Sequence, residues 1–351
     1  METIVLQIQE EQVAEKDALL RQAGEVLKNG GLVAFPTETV YGLGGDGLNK
    51  ESSKKIYEAK GRPSDNPLII HIADMDALPH IVTEVSPQVE KVAEAFWPGP
   101  LTIILPKSDH VPMETTGGLN TVAVRMPSHK VARKLIEYAG GYVAAPSANA
   151  SGKPSPTVAK YVVEDMDGRI DMIIDGGQVG IGLESTIIDM TVEPPQILRP
   201  GFVTEQMLEQ VLGTIDIDKT ILSNDSKLAP KAPGMKYRHY APKGQLTIVT
   251  GESQKVVEYI NQQAKEAALD GKKVGIIGSE ELLEQYQADS IKSAGSRTDE
   301  QAIAHNLYRI LREFDDENVE IIYSESFEQG GMGQAIMNRL LKAAGHSVTE
   351  V

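Results

Sequence analysis

The chain has 351 residues, carries 34 Lys and Arg against 50 Asp and Glu for a formal net charge of −16, and contains no cysteine. The missing thiols exclude disulfides, cysteine nucleophiles and thiolate zinc sites. The acidic balance argues against a protein that coats nucleic acid without specificity, because such binding draws on a surplus of Lys and Arg. A hydrophobic share of 41% and a charged share of 24% are those of a globular chain, long enough for two domains with cores of their own. The first residues lack the basic-then-apolar order of a signal peptide, and no apolar run approaches the ~20 residues that span a bilayer. The expectation is a soluble, cytoplasmic protein with no membrane partner.

In chain order, the amphipathic stretch from Val13 to Leu27 predicts a helix closed by Gly30 and Gly31, and Leu32 to Phe35 a short buried strand ended by Pro36. Further strands are expected at Leu68 to Ile72, Leu101 to Leu105, Thr121 to Arg125, Tyr142 to Ala145, Met172 to Ile174 and Ser185 to Met190. Helices are expected at Ser52 to Ala59, Pro87 to Phe96, Lys130 to Tyr138 and Thr157 to Val163. This reads as α/β around a mixed sheet. Residues 213–244 differ: Pro230, Pro233 and Pro242 interrupt them, and six basic residues stand against three acidic. A cleaner alternation follows: strand Leu246 to Val249, helix Ser253 to Leu269, strand Lys273 to Ile277, helix 299–314 with Thr298 and Gln301 spaced as a capping box, strand Val319 to Tyr323 and helix Gln334 to Ala344. That pattern predicts a small doubly wound domain. The expected division is therefore 1–212, a basic linker at 213–244, and 245–351.

Gly42 to Gly47 fits G-x-G-x-x-G, with Asp65 at a suitable distance, but Pro36-Thr37-Glu38-Thr39 separates these glycines from the preceding strand, and Asn49 reads as the cap of a separate helix. A dinucleotide site is disfavoured on that ground. More informative are polar residues gathered where strands end: Thr37, Thr39 and Tyr41; Lys60 and Arg62; Asn66 and His71; Arg125; Ser147 and Asn149; Ser185; Arg199. In open α/β sheets ligands collect at such ends. Each piece alone also has a structural explanation, as a helix-terminal charge pair for Lys60 and Arg62, a turn for Ser147 and Asn149, or a core histidine for His71.

Four stretches carry a resemblance: Gly31 to Gly44; Lys60-Gly-Arg62 with Asn66-Pro-Leu-Ile-Ile-His71; Trp97-Pro-Gly-Pro-Leu-Thr; and Pro146-Ser-Ala-Asn149 with Ser151-Gly152. With Ser185-Thr-Ile-Ile-Asp and Ile197-Leu-Arg199-Pro-Gly they resemble the threonylcarbamoyl-AMP synthase family, in its long, two-domain form. The resemblance implies an N-terminal YrdC-like catalytic domain built on a twisted mixed sheet with helices, and a smaller C-terminal Rossmann-like doubly wound domain. It implies a reaction in which L-threonine, bicarbonate or CO2, and ATP give threonylcarbamoyl-AMP and pyrophosphate, for N6-threonylcarbamoylation of adenosine in tRNA. Mg2+ would accompany ATP, and tRNA or the downstream threonylcarbamoyl transferase would be a further partner.

By the same resemblance Lys60 and Arg62 are catalytic. Arg62, Asn66, Thr121, Ser147, Asn149, Ser155, Arg199 and Tyr237 face ATP, and Thr37, Thr39, His71, Arg125, Ala145 (through its backbone) and Ser185 hold threonine. The linker, with Lys231, Lys236 and Tyr237, is implied to fold over the site as a lid. No metal ligand is nominated. Two other classes remain as alternatives: an RNA-binding module using the same cations, and a dinucleotide-dependent oxidoreductase using the glycine cluster.

Overall fold

The computed structural model describes residues 2–218, 239–328 and 330–351, so Lys231, Lys236 and Tyr237 lie outside the described residues. The chain forms two compact units, Met1–Ser151 with Ser155–Tyr237, and Gly152–Pro154 with Arg238–Val351.

The first unit is built on eleven strands: β1 (Ile4–Gln7), β2 (Val33–Phe35), β3 (Gly42–Asp46), β4 (Ile69–His71), β5 (Leu101–Pro106), β6 (Thr121–Arg125), β7 (Val143–Ala144), β8 (Met172–Asp175), β9 (Thr186–Asp189), β10 (Gln196–Arg199) and β11 (Asp216–Ile217). They form one sheet in the order β1-β8-β2-β3-β7-β4-β6-β5-β9-β10-β11. Parallel pairs such as β4 with β6 alternate with antiparallel ones such as β5 with β6, so the sheet is mixed as expected. Helices cover it with apolar stripes. In the Asp17–Lys28 helix, Leu20, Ala23, Gly24 and Leu27 face inward at helical spacing. Gly24 is required there, because a Cβ at that position would sit 2.5 Å from Cβ of Tyr138 on the Lys130–Tyr138 helix. The helix begins at Asp17, not at the expected Val13; a 3-10 turn at Glu10–Gln12 takes up the approach.

The glycine cluster, assigned no element from sequence, is strand β3. Its register pairs Val33 with Gly44 and Phe35 with Gly42. A Cβ on Gly44 would meet the Phe35 ring and Val143 Cγ1 at 2.9 Å each, so the glycine lets neighbouring side chains close over the backbone. The cluster's spacing thus serves sheet packing. Asn49 does cap the following Lys50–Lys60 helix, its side chain accepting from the Glu51 N–H at 2.9 Å.

The second unit holds β12 (Gln245–Thr250), β13 (Val274–Ser279), β14 (Ser290–Gly295), β15 (Ile321–Glu325) and β16 (Val348–Glu350). All pairs are parallel, in the order β14-β13-β15-β12-β16. The fourth strand of the unit thus lies between the first and second, unlike the 3-2-1-4-5-6 order of dinucleotide-binding sheets. The Ser253–Leu269 helix packs on β12, β13 and β15, while the Glu300–Asp316 helix packs on β14 and against the Gly333–Ala343 helix. The edge strands β14 and β16 have no counterpart in the sequence reading, because half-exposed, polar edge segments lack the apolar run that marks a central strand. The expected Thr298 capping box is absent. Asp299 caps the helix instead, accepting from the Ala302 N–H at 2.9 Å, while the Thr298 hydroxyl stands 3.0 Å from Ser296 Oγ. Among the described residues, no helix is long and apolar enough to cross a membrane.

Candidate active site

Strand periodicity builds the floor of the site, because residues two apart share a face. His71 follows Ile69, Arg125 follows Ala123, Thr102 precedes Ile104, and Ser185 precedes Ile187. These polar residues therefore border the small apolar cluster of Ile69, Ile104, Ala123, Ile187 and Leu198. The alternate residues Ile70, Ile103, Val124 and Ile188 enter the larger core on the other face. Register completes the alignment: His71 pairs with Arg125 across β4 and β6, Arg125 with Thr102 across β6 and β5, and Leu101 with Thr186 across β5 and β9.

Arg125 is only 4% exposed. Its Nη1 donates to Thr39 Oγ1 at 2.9 Å, and its Nε to the Gly99 carbonyl at 3.4 Å. Nη2 forms an ion pair with Glu38 Oε1 at 2.7 Å. Thr37 locks the loop that brings Thr39 and Glu38 here: its Oγ1 accepts from the Thr39 and Val40 N–H groups at 3.2 and 3.3 Å, and donates to the Val40 carbonyl at 2.6 Å. His71 lies beside Arg125. Burial, reinforced by the Arg125 charge, lowers its pKa from 6.5 to about 3, so the ring is neutral, with Nδ1 3.1 Å from the Ile69 carbonyl.

On the other side of Arg125, Thr102 Oγ1 stands 2.7 Å from Ser185 Oγ, which accepts from Arg199 Nη2 at 3.1 Å; Arg199 Nε donates to the Ser185 carbonyl at 3.0 Å. Two polar groups thus flank the floor, Thr37–Thr39–Arg125 and Thr102–Ser185–Arg199, and strand register sets Arg125 opposite Thr102. The Ala145 amide is bonded to the Ile69 carbonyl at 2.9 Å, at the edge of the same floor. Ser155 Oγ donates to Glu184 Oε1 at 2.6 Å, and both residues are buried.

Lys60 occupies the last turn of its helix, before Gly61 turns the chain at φ 62°. Its buried ammonium donates to the carbonyls of Ser147 and Asn149 at 2.5 Å each, and Ser147 Oγ donates to Asn149 Oδ1 at 2.6 Å. Lys60 therefore clasps the Pro146–Asn149 turn. Arg62 bonds through Nε and Nη2 to the carbonyls of Asn66 and Pro67 at 3.3 and 3.1 Å. Asn66 is 1% exposed, and its Oδ1 makes no hydrogen bond among the described residues, leaving an acceptor open to a donor from a ligand. Thr121 stands at the opposite end of β6 from Arg125, about 13 Å away at a rise of roughly 3.3 Å per residue. It does not join the Arg125 cluster. Glu38, Thr102 and Glu184 went unassigned in the sequence reading. The only signals for them are a carboxylate set between two threonines and a hydroxyl residue inside the otherwise apolar β5.

Known proteins align with this arrangement over both units. A family model described as Telomere recombination, covering Sua5, YciO and YrdC proteins, matches residues 25–201, and one described as Threonylcarbamoyl-AMP synthase, C-terminal domain, matches residues 203–345. The threonylcarbamoyl-AMP synthase of Pyrococcus abyssi is 49% identical, covering 95% of this chain and 96% of its own length. That of Bacillus subtilis is 46% identical, covering 96% of each chain. The crystal structure of P. abyssi Sua5 complexed with L-threonine superposes with a TM-score of 0.92 at 47% identity, covering both chains completely. Two family models in order along one chain, and near-half identity over almost its full length, show that this chain belongs to the threonylcarbamoyl-AMP synthase family.

Proposed function

We propose that this chain is an L-threonylcarbamoyladenylate synthase, a nucleotidyltransferase that forms threonylcarbamoyl-AMP and pyrophosphate from L-threonine, bicarbonate or CO2, and ATP. The observation that carries the proposal is the buried Arg125 site, where a guanidinium oriented by Thr39 and Gly99 lies beside a neutral His71 and the Thr102–Ser185–Arg199 hydroxyl chain. A cation for a carboxylate, neutral groups for a side-chain hydroxyl and a small apolar floor suit a short hydroxy amino acid. In this reading Thr37 orders the loop, Thr39, His71, Arg125, Ser185 and the Ala145 backbone hold threonine, and Arg125 takes its carboxylate.

ATP would engage Arg62, Asn66, Thr121, Ser147, Asn149, Ser155 and Arg199, together with Tyr237, and the open Asn66 acceptor suits a nucleoside amine or hydroxyl. Lys60 would act through the turn it clasps. The threonine amine is carboxylated, and the carboxylate so formed attacks the α-phosphorus with pyrophosphate leaving; the protein supplies position and charge, without a covalent nucleophile. Mg2+ would accompany the triphosphate and neutralise part of its charge, and Arg62 and Arg199 would balance the rest. The product would serve N6-threonylcarbamoylation of tRNA in the cytoplasm, handed to a downstream transferase.

The test is pyrophosphate release by purified protein with ATP and Mg2+. It should require both L-threonine and bicarbonate, and Arg62→Ala should lower the rate by about 100-fold or more with unchanged circular dichroism, as expected when a group that stabilises transferring charge is removed. Release independent of threonine, or salt-sensitive RNA binding with no ATP turnover, would reject the reading.

A further inference from the structure

Three polar atoms of opposite character are left open at one place. Arg125 Nη2 and both oxygens of Glu38 are buried, and none of them makes a hydrogen bond among the described residues. The Glu38 side chain is 14% exposed and that of Arg125 5%, so bulk water does little to satisfy either. Their 2.7 Å ion pair brings the charges together without directing an N–H at an oxygen. Elsewhere the guanidinium is well anchored, through Nη1 to Thr39 and Nε to Gly99. Buried polar groups are rarely left without a hydrogen bond, so such a set calls for a bound ligand, ion or water to complete it. The missing partners are complementary: Nη2 needs an acceptor, and the Glu38 carboxylate, which has only lone pairs to offer, needs a donor.

An α-amino acid carries both on a single carbon, a carboxylate to accept and an ammonium to donate. Resting on the threonine site proposed above, we propose that Glu38 is the residue that recognises the substrate's ammonium, so that the Glu38–Arg125 pair reads the amino acid as a zwitterion. The backbone holds Glu38 in place for this. Its carbonyl accepts from the Ile181 N–H at 2.8 Å, and that of Thr39 from the Gly182 N–H at 3.0 Å, pinning the loop from Thr37 to Thr39 to the segment that leads into Ser185. Glu38 is thereby a specificity residue for the amine. A threonine-like ligand with a hydroxyl in place of the ammonium would offer Glu38 a single neutral donor and leave its negative charge uncompensated.

The test compares binding of L-threonine with that of its α-hydroxy analogue, in which a hydroxyl replaces the ammonium, by calorimetry on the full chain. The unsubstituted protein should prefer threonine. Glu38→Gln should weaken threonine by about 10-fold or more, the usual worth of a hydrogen bond to a charged group, and leave the analogue unchanged or improved, collapsing the preference. Equal losses for both ligands would mean that Glu38 only balances the Arg125 charge, and would overturn the proposal, as would undiminished threonine binding. Should Glu38→Gln not fold, Glu38→Asp decides: it keeps a carboxylate and should keep the preference at lower affinity, and loss of the preference overturns the proposal. Failure of the unsubstituted protein to bind threonine at all would instead remove the functional reading beneath it.

Discussion

His71 shows how far a single side chain is set by its neighbours. An imidazole at a strand end titrates near 6.5 in water, but inside this sheet burial, and then the Arg125 charge, bring it to about 3. Between about 3 and 6.5 the unfolded chain therefore binds a proton that the folded protein refuses. The sign follows: stability from this group is complete above 6.5 and is lost as pH falls toward 3, by up to about 1.4 kcal/mol per pH unit. Urea denaturation at pH 7 and pH 5 should show the loss, and His71→Gln should have a shallower dependence across that interval. An unchanged slope would mean that other groups dominate. The same neutral ring means that His71 contributes no protonation step to activity near neutral pH. Lys60 makes the complementary point: the resemblance implies a catalytic cation, and its ammonium is seated on two backbone carbonyls of the Pro146–Asn149 turn.

At the scale of elements, β3 is where local pattern and tertiary structure diverge most. Gly42-Leu-Gly-Gly-Asp has poor strand propensity and a spacing that mimics a nucleotide fingerprint. It becomes a strand because β2 and β7 flank it and the Phe35 and Val143 side chains fill the space its glycines leave. Gly44→Ala should therefore destabilise the protein by about 1–3 kcal/mol through overpacking, seen as a lowered denaturation midpoint. A neutral result would mean that Phe35 can swing away freely. By contrast, the Lys50–Lys60 helix is announced locally, by the Asn49 cap and the Gly61 terminator.

For the whole molecule, the charge of −16 remains the strongest constraint that composition provides. Of the cations the proposed chemistry uses, Lys60, Arg125 and Arg199 are each at most 5% exposed, and Arg62 is half-buried. In the proposed reading Arg125 and Arg199 meet small anions inside the fold, and the buried Lys60, Arg125 and Arg199 add no basic surface for a polynucleotide. Binding to random-sequence duplex DNA at physiological salt should accordingly be undetectable by filter retention, because few counterions are available to be released. Tight, steeply salt-dependent binding would contradict this. The division proposed at 213–244 places the basic stretch of the chain, including Tyr237, between two acidic units.

The sequence by itself determined the α/β class, most central strands, the basic interruption and the set of polar residues at strand ends, because apolar period, capping residues and turn residues are local signals. It also carried the family resemblance in short motifs. Only the tertiary structure decided which of those residues meet. Arg125, Thr102, Ser185 and Arg199 come from β6, β5, the approach to β9, and β10, and their contact depends on strand order and register, which no local window encodes. The same is true of Glu38. In sequence it is an acidic residue between two threonines, and its buried oxygens facing Arg125 follow from the folding of one loop across the sheet.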